Sequence, residues 1–120
     1  MQAEELCNKE FAFCCLNRLK AAGKLTAPVL RTLTDAEACR RLFRCSGGFP
    51  VLKEVPAGCS GEELTQLCHF SGKRRYYQDR FLADGRTFVV VNHWYGPNRS
   101  MPDNRTPFLD WVTALEGRTV

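Results

Sequence analysis

A chain of 120 residues that is 44% hydrophobic and 25% charged is sized for one domain burying about two thirds of its unfolded surface, and is too apolar to stay disordered. It contains no run approaching the ~20 apolar residues of a membrane helix. The opening stretch, Met1 to Cys7, is acidic and lacks the apolar core of a secretory leader, so a cytosolic protein with no membrane partner is expected.

In chain order, residues 4–22 have the pattern of a first helix. Cys7, Phe11, Cys14, Cys15, Leu19 and Ala22 keep the three–four spacing of a buried face, and Gly23 stops it. A short second helix fits 27–33: Thr26 can cap it, Pro28 sits in its first turn, and Val29, Leu30 and Leu33 form its buried edge. Thr34 to Glu37 has the spacing of a capping box and opens a third helix to about Cys45. Ala38, Cys39, Leu42 and Phe43 lie on one face of it, and Arg40, Arg41 and Arg44 on the other. Phe49 to Val55 is a short extended segment, which Pro50 restricts to an edge or a strand start. Ser60 to Glu63 is a second capping box, starting a fourth helix through Leu64, Leu67 and Cys68 to about Phe70.

The strongest signal lies at 75–95, where two aromatic and β-branched runs flank Asp84-Gly85, the dipeptide suited to the two positive φ angles of a type I′ turn. Continuous pairing from that turn sets Phe81 opposite Phe88, Asp79 opposite Val90, Tyr77 opposite Asn92 and Arg75 opposite Trp94. One face then carries Tyr77, Phe81, Phe88, Val90 and Trp94 and is the expected core side; the other carries Tyr76, Leu82, Val89, Val91, His93 and Tyr95. Asp79 is an anomaly there, pointing inward among rings. Residues 88–91 are apolar on both faces, so the strand needs cover beyond one partner, and 51–55 is the obvious third strand. Residues 96–107 form a long loop, and Thr106-Pro107 opens a last amphipathic helix with Phe108, Leu109, Trp111, Val112 and Leu115. The expected architecture is α+β, in one domain spanning 1–120. Three N-terminal helices precede a small, mainly antiparallel sheet centred on the 75–95 hairpin, and the C-terminal helix packs on the sheet.

Seven cysteines (Cys7, Cys14, Cys15, Cys39, Cys45, Cys59, Cys68) fall mostly where helical spacing buries them, with no Cys-x2-4-Cys knuckle. That pattern points to reduced core thiols rather than metal ligands, and no cofactor is expected. Asn98-Arg-Ser and Asn104-Arg-Thr match the glycosylation acceptor but have no leader to give them meaning. His69 and His93 are the only histidines. On a helix, adjacent Cys68 and His69 would point about 100° apart, which disfavours a nucleophile pair. With no nucleophile elbow, phosphate loop or HExxH motif, the chain leans toward a non-enzymatic role.

Charge carries the functional signal. A net charge of +4 and a pI near 8.8 permit a polyanion partner without requiring one. Arg40, Arg41 and Arg44 could touch phosphates or guanine edges, and helices followed by a hairpin is the order of a winged helix-turn-helix. The second-to-third helix turn is nearly absent, however, and a fourth helix intervenes; a solvated helix face is the plain alternative. Lys73, Arg74 and Arg75 run into Tyr76 and Tyr77, a mix of charge and rings able to hold a strand's backbone while a base stacks. Alternatively, these cations guard a strand edge. DNA or RNA binding through Arg40, Arg41, Arg44, Lys73, Arg74, Arg75 and Tyr76 is the leading expectation. The competing one is a protein–protein adaptor or homodimer using Trp94, Tyr95, Met101 in the long loop, and Trp111, although Trp94 and Trp111 could simply pack on each other in the core.

Overall fold

The computed structural model describes residues 7–45, 48–96 and 102–117. Its elements are α1 (Asn8–Ala21), α2 (Ala27–Leu33), α3 (Ala36–Phe43), β1 (Leu52–Glu54), α4 (Gly61–Cys68), β2 (His69–Phe70), β3 (Lys73–Arg74), β4 (Phe81–Ala83), β5 (Arg86–Val90) and α5 (Arg105–Gly117). This is the expected α+β architecture, with helices before a small antiparallel sheet and α5 against its strands. Among the described residues no helix is long and apolar enough to cross a membrane.

The sheet has the order β1-β5-β4, with both pairings antiparallel. Asp84 and Gly85 both adopt positive φ, 54° and 69°, so the β4–β5 reversal has the type I′ geometry the dipeptide favours. Phe81 pairs with Phe88 as expected. The pairing does not continue unbroken, because Tyr76, not Asp79 or Tyr77, is the next residue to bridge β5, and it does so at Val91. Five residues separate Phe81 from Tyr76 where three separate Phe88 from Val91, so two residues are extra and 78–80 leave the ladder. Asp79 is therefore at the surface, paired with Lys9 at 2.9 Å, and neither Tyr77–Asn92 nor Arg75–Trp94 is a cross-strand pair. Tyr77 instead donates its backbone N–H to Val90, and Asn92 donates to Arg75.

Both faces of β5 are buried: Phe88 and Val90 on one, Val89 and Val91 on the other. The second face is thus core as well, as the doubly apolar run at 88–91 implied, although the first was expected to be the core side. On the first face, Phe13 of α1 sets its ring 6.3 Å from both Tyr77 and Phe81. On the second, Lys53 of β1 donates to the Leu67 carbonyl of α4. Beside the sheet, Phe11, Phe43, Trp94 and Phe108 form a buried aromatic cluster. Trp94 and Trp111 do not pack directly as a pair: Phe108 stands 4.9 Å from one and 6.2 Å from the other, and Trp111 leans on Phe43 at 5.0 Å.

Two helix starts differ from the expected caps. α3 is capped by Asp35, whose carboxylate accepts from the Glu37 and Ala38 N–H groups. Thr34 is spent on the end of α2, donating to the Leu30 and Arg31 carbonyls. At α5, Asp103 accepts from the Thr106 N–H, so the cap precedes Thr106. The Ser60–Glu63 capping box is present in both directions. Asn104 is a buried polar residue at the sheet–helix junction. Its Oδ1 accepts from the Tyr95 N–H at 2.7 Å and its Nδ2 donates to the His93 carbonyl at 2.8 Å. Replacing Phe108 by Ala should lower the unfolding free energy by about 3–5 kcal/mol in urea titrations, while Leu82→Ala, at a position 57% exposed, should change it by less than about 0.5 kcal/mol.

Candidate nucleic-acid interface

α4 was expected to reach about Phe70 but stops at Cys68, because the chain reverses at once. Ser71 and Gly72 hold φ of 52° and 77°, a second type I′ turn, which pairs His69 with Arg74 and Phe70 with Lys73. Glycine takes that angle freely, whereas serine does so at a small cost. The β2–β3 arm is tied to the body by the Arg75 and Tyr76 N–H groups, both donating to the Cys68 carbonyl. His69 donates Nδ1–H to the Thr65 carbonyl at 2.7 Å.

Phe70, on this arm, is 60% exposed. Its ring meets the half-buried Phe49 edge-on at 5.5 Å, and Phe49 in turn touches His93 at 5.7 Å and Tyr76 at 6.4 Å. The Arg75 guanidinium lies 5.3 Å over the Phe49 ring, and its Nη1 is 2.7 Å from His93 Nε2. Guanidinium can only donate, so Nε2 accepts and the imidazole is neutral with its proton on Nδ1. Burial, reinforced by the Arg75 charge, holds the His93 pKa below its usual value.

The chain carries no acidic residue between Glu63 and Asp79. Among the described residues no carboxylate pairs with Lys53, Lys73, Arg74 or Arg75, although Lys9, Arg18, Arg40 and Arg86 each hold one. Positive charge is thus left uncompensated on the arm, next to an exposed ring.

Lys73 and Arg74 form β3 and Arg75 follows it, but Tyr76 does not offer a stacking surface. It is 2% exposed, with its hydroxyl donated to the Pro50 carbonyl at 2.9 Å. Of the α3 arginines, Arg40 is paired with Glu37, and Arg44 lies just past the helix end in left-handed backbone at φ 62°. Sequence reasoning did not place Phe70 and Phe49 at a site and weighed His93 only as one of two histidines; the Ser71-Gly72 dipeptide was the available signal, since it punctuates a run otherwise spaced like a helix. Of the adaptor residues, Trp94 is in the core with its Nε1–H donated to Val91. Trp111 is half-buried against Phe43, and Tyr95 is half-buried with its backbone engaged by Asn104. Met101, like Asn98, lies outside the described residues.

Cys15, Cys39, Cys45 and Cys68 are buried, Cys14 and Cys59 half-buried, and Cys7 exposed. Cys39 serves as a polar pin, donating to the Leu33 carbonyl and accepting from the Val51 N–H. Burial pushes Cys39 up to about 11 and Cys15 and Cys45 up to about 12. Among the described residues no three His, Cys, Asp or Glu side chains gather where one metal ion could be held. No family model matches the chain, and no curated protein or solved structure is significantly similar to it.

Two outcomes are expected. A thiol reagent near neutral pH should modify Cys7, Cys14 and Cys59 quickly, and Cys15, Cys39, Cys45 and Cys68 only on unfolding; mass mapping of a brief labelling reads this directly. For His93, the folded-state value lies below the ordinary 6.5, so the unfolded chain takes up the proton first as pH falls. Its contribution to stability is complete above about pH 6.5 and is lost as pH drops toward the folded value. Urea midpoints should therefore fall more steeply with acid in the wild type than in His93→Gln; parallel curves would contradict this.

Proposed function

We propose that this chain is a binding protein for single-stranded nucleic acid, RNA or DNA, and that the β2–β3 arm makes the contact. The observation that carries the reading is Phe70, a phenyl ring 60% exposed among cations that have no carboxylate partner. An unpaired base supplies what such a ring lacks, a second aromatic face, with stacking worth about 1–3 kcal/mol. The strand's phosphates supply the missing counter-charge for Lys73, Arg74 and Arg75. In duplex nucleic acid the base faces are already stacked, which favours a single strand as partner.

Arg41 and Arg44 extend the same path. Five residues of chain join Arg44 to Phe49, so their Cα atoms lie within about 18 Å, close enough for a strand crossing the arm to run on to the end of α3. Arg40, already paired with Glu37, contributes less.

With three phosphates neutralised on the arm, log K for a thymidine or uridine oligomer should fall against log salt with a slope of about −2. Charge reversal at Lys73 and Arg74 should abolish binding without lowering the melting temperature. Phe70→Ala should weaken it by about 1–3 kcal/mol at every salt concentration. Reversal at Arg41 and Arg44 should weaken binding only in part. Absence of any oligonucleotide binding at low salt would end this reading.

A further inference from the structure

We infer that Arg75 and His93 together form a seat for one phosphate, placed beside the Phe70 ring; this rests on the single-strand reading above.

Among the part-buried arginines, Arg18 and Arg86 each meet a carboxylate and Arg105 donates to Asn8 Oδ1, whereas Arg75 meets the ring nitrogen of a neutral imidazole at 2.7 Å. Its Nε is buried without a partner, and no described residue engages its Nη2. A cation so placed gives up hydration and receives no counter-charge, an arrangement that a bound anion relieves. It is also held in place. The Phe49 ring lies 5.3 Å beneath the guanidinium, the Arg75 N–H donates to Cys68, and its carbonyl accepts from Asn92. A guanidinium fixed in this way loses little rotamer freedom when it takes an oxyanion.

His93 adds the second donor. At rest its Nε2 accepts from Arg75. If the imidazole takes a proton from solvent, Nε2–H and the Arg75 N–H groups all become donors on the same side. They then repel one another unless an anionic oxygen lies between them. The groups packed around His93 are Phe49 from the segment before β1, Asn104 at the start of α5, which donates to its carbonyl, and Arg75. Of these only Arg75 is charged, so no carboxylate competes with the phosphate for the protonated ring. Phosphate binding and proton uptake at His93 are therefore linked, which distinguishes the seat from the permanently charged Lys73 and Arg74.

The test uses the full chain with hexathymidylate, in a 5′-hydroxyl and a 5′-phosphate form, at about pH 5.5 and about pH 7.5, which bracket the imidazole's range. Affinity should rise on acidification, by tenfold for each unit by which the strand raises the proton affinity of His93. His93→Gln should flatten that rise, and Phe70→Ala should weaken binding at both pH values while keeping it. Equal pH dependence in wild type and His93→Gln overturns the seat and leaves nucleic-acid binding intact. Equal affinity for the two oligomers places a backbone diester in the seat, and a gain from the 5′-phosphate places a strand end there; either supports it. If neither oligomer binds, the single-strand reading fails. The ring NMR titration of His93 in inorganic phosphate then decides the seat: an upward shift lost in Arg75→Lys supports it, and an unmoved titration overturns it.

Discussion

β5 is apolar on both of its faces, and a strand of that kind persists only when both are covered and both edges are paired. Phe88 and Val90 cannot be shielded by the element that shields Val89 and Val91, so the sheet has to lie between α1 on one side and α4 on the other. β1 takes one edge of β5. The other edge is longer than β4 can pair, and residues 75–77 complete it by bonding at 90–92. That last pairing is what fixes the arm. Because Tyr76 is drawn into the second face and its hydroxyl is held by Pro50, the residues just before it must leave the sheet, and they do so as β2–β3. The exposed cations and Phe70 are positioned as a consequence of satisfying the strand behind them.

The end of β5 raises a different problem. Past Asn92 the chain has no neighbouring strand among the described residues, yet its backbone groups are partly buried. Asn104 supplies from one side chain the donor and acceptor that a strand would have provided, reaching the His93 carbonyl and the Tyr95 N–H. The asparagine that heads the second glycosylation acceptor pattern is thus an internal clamp. It brings α5 against the sheet, places Phe108 beside Trp94, and holds the His93 backbone so that the imidazole faces Arg75. A hydrophobic contact could have joined α5 to the sheet, but it could not have satisfied these two backbone groups.

What could be read from the sequence followed how local each signal was. Asp84-Gly85 and Ser60–Glu63 act through the backbone within four residues, and both have the geometry their chemistry requires. The third strand at 51–55 follows from the need to pair a doubly apolar neighbour. The excursion at 78–80 was hidden for a definite reason: strand alternation has period two, so two extra residues leave the pattern of faces unchanged. Tyr76 stays on the face of Val91 whether or not they are present, and only the inward Asp79 betrayed the slip. The cap of α3 was misassigned because Thr34 and Asp35 are adjacent oxygen acceptors, and the choice depends on the end of α2 needing one of them. The arm went unread because Leu64, Leu67 and Cys68 keep helical spacing up to the turn. The Arg75–His93 contact needs the 78–80 excursion before it can exist at all.

What sets the arm apart from an ordinary charged surface is the ring among its charges. Lys9, Arg18, Arg40 and Arg86 hold a carboxylate, but Lys20, Lys24, Arg31, Arg41, Arg44 and Arg80, like the cations of the arm, hold none among the described residues. Among the described residues, Leu42 and Leu82 are the other large apolar side chains exposed, and single residues of that kind are normal on any protein. Phe70 is not single in this sense, since it extends a cluster through Phe49 to His93 and Tyr76. Edge protection would account for lysine and arginine on a two-residue strand, but it would not place an aromatic ring outward among them. Nor would it leave Arg75 half-buried against a neutral base. Charge without counter-charge and a ring without a second face occur within the same few residues, and a partner that carries both anionic groups and aromatic planes answers both at once.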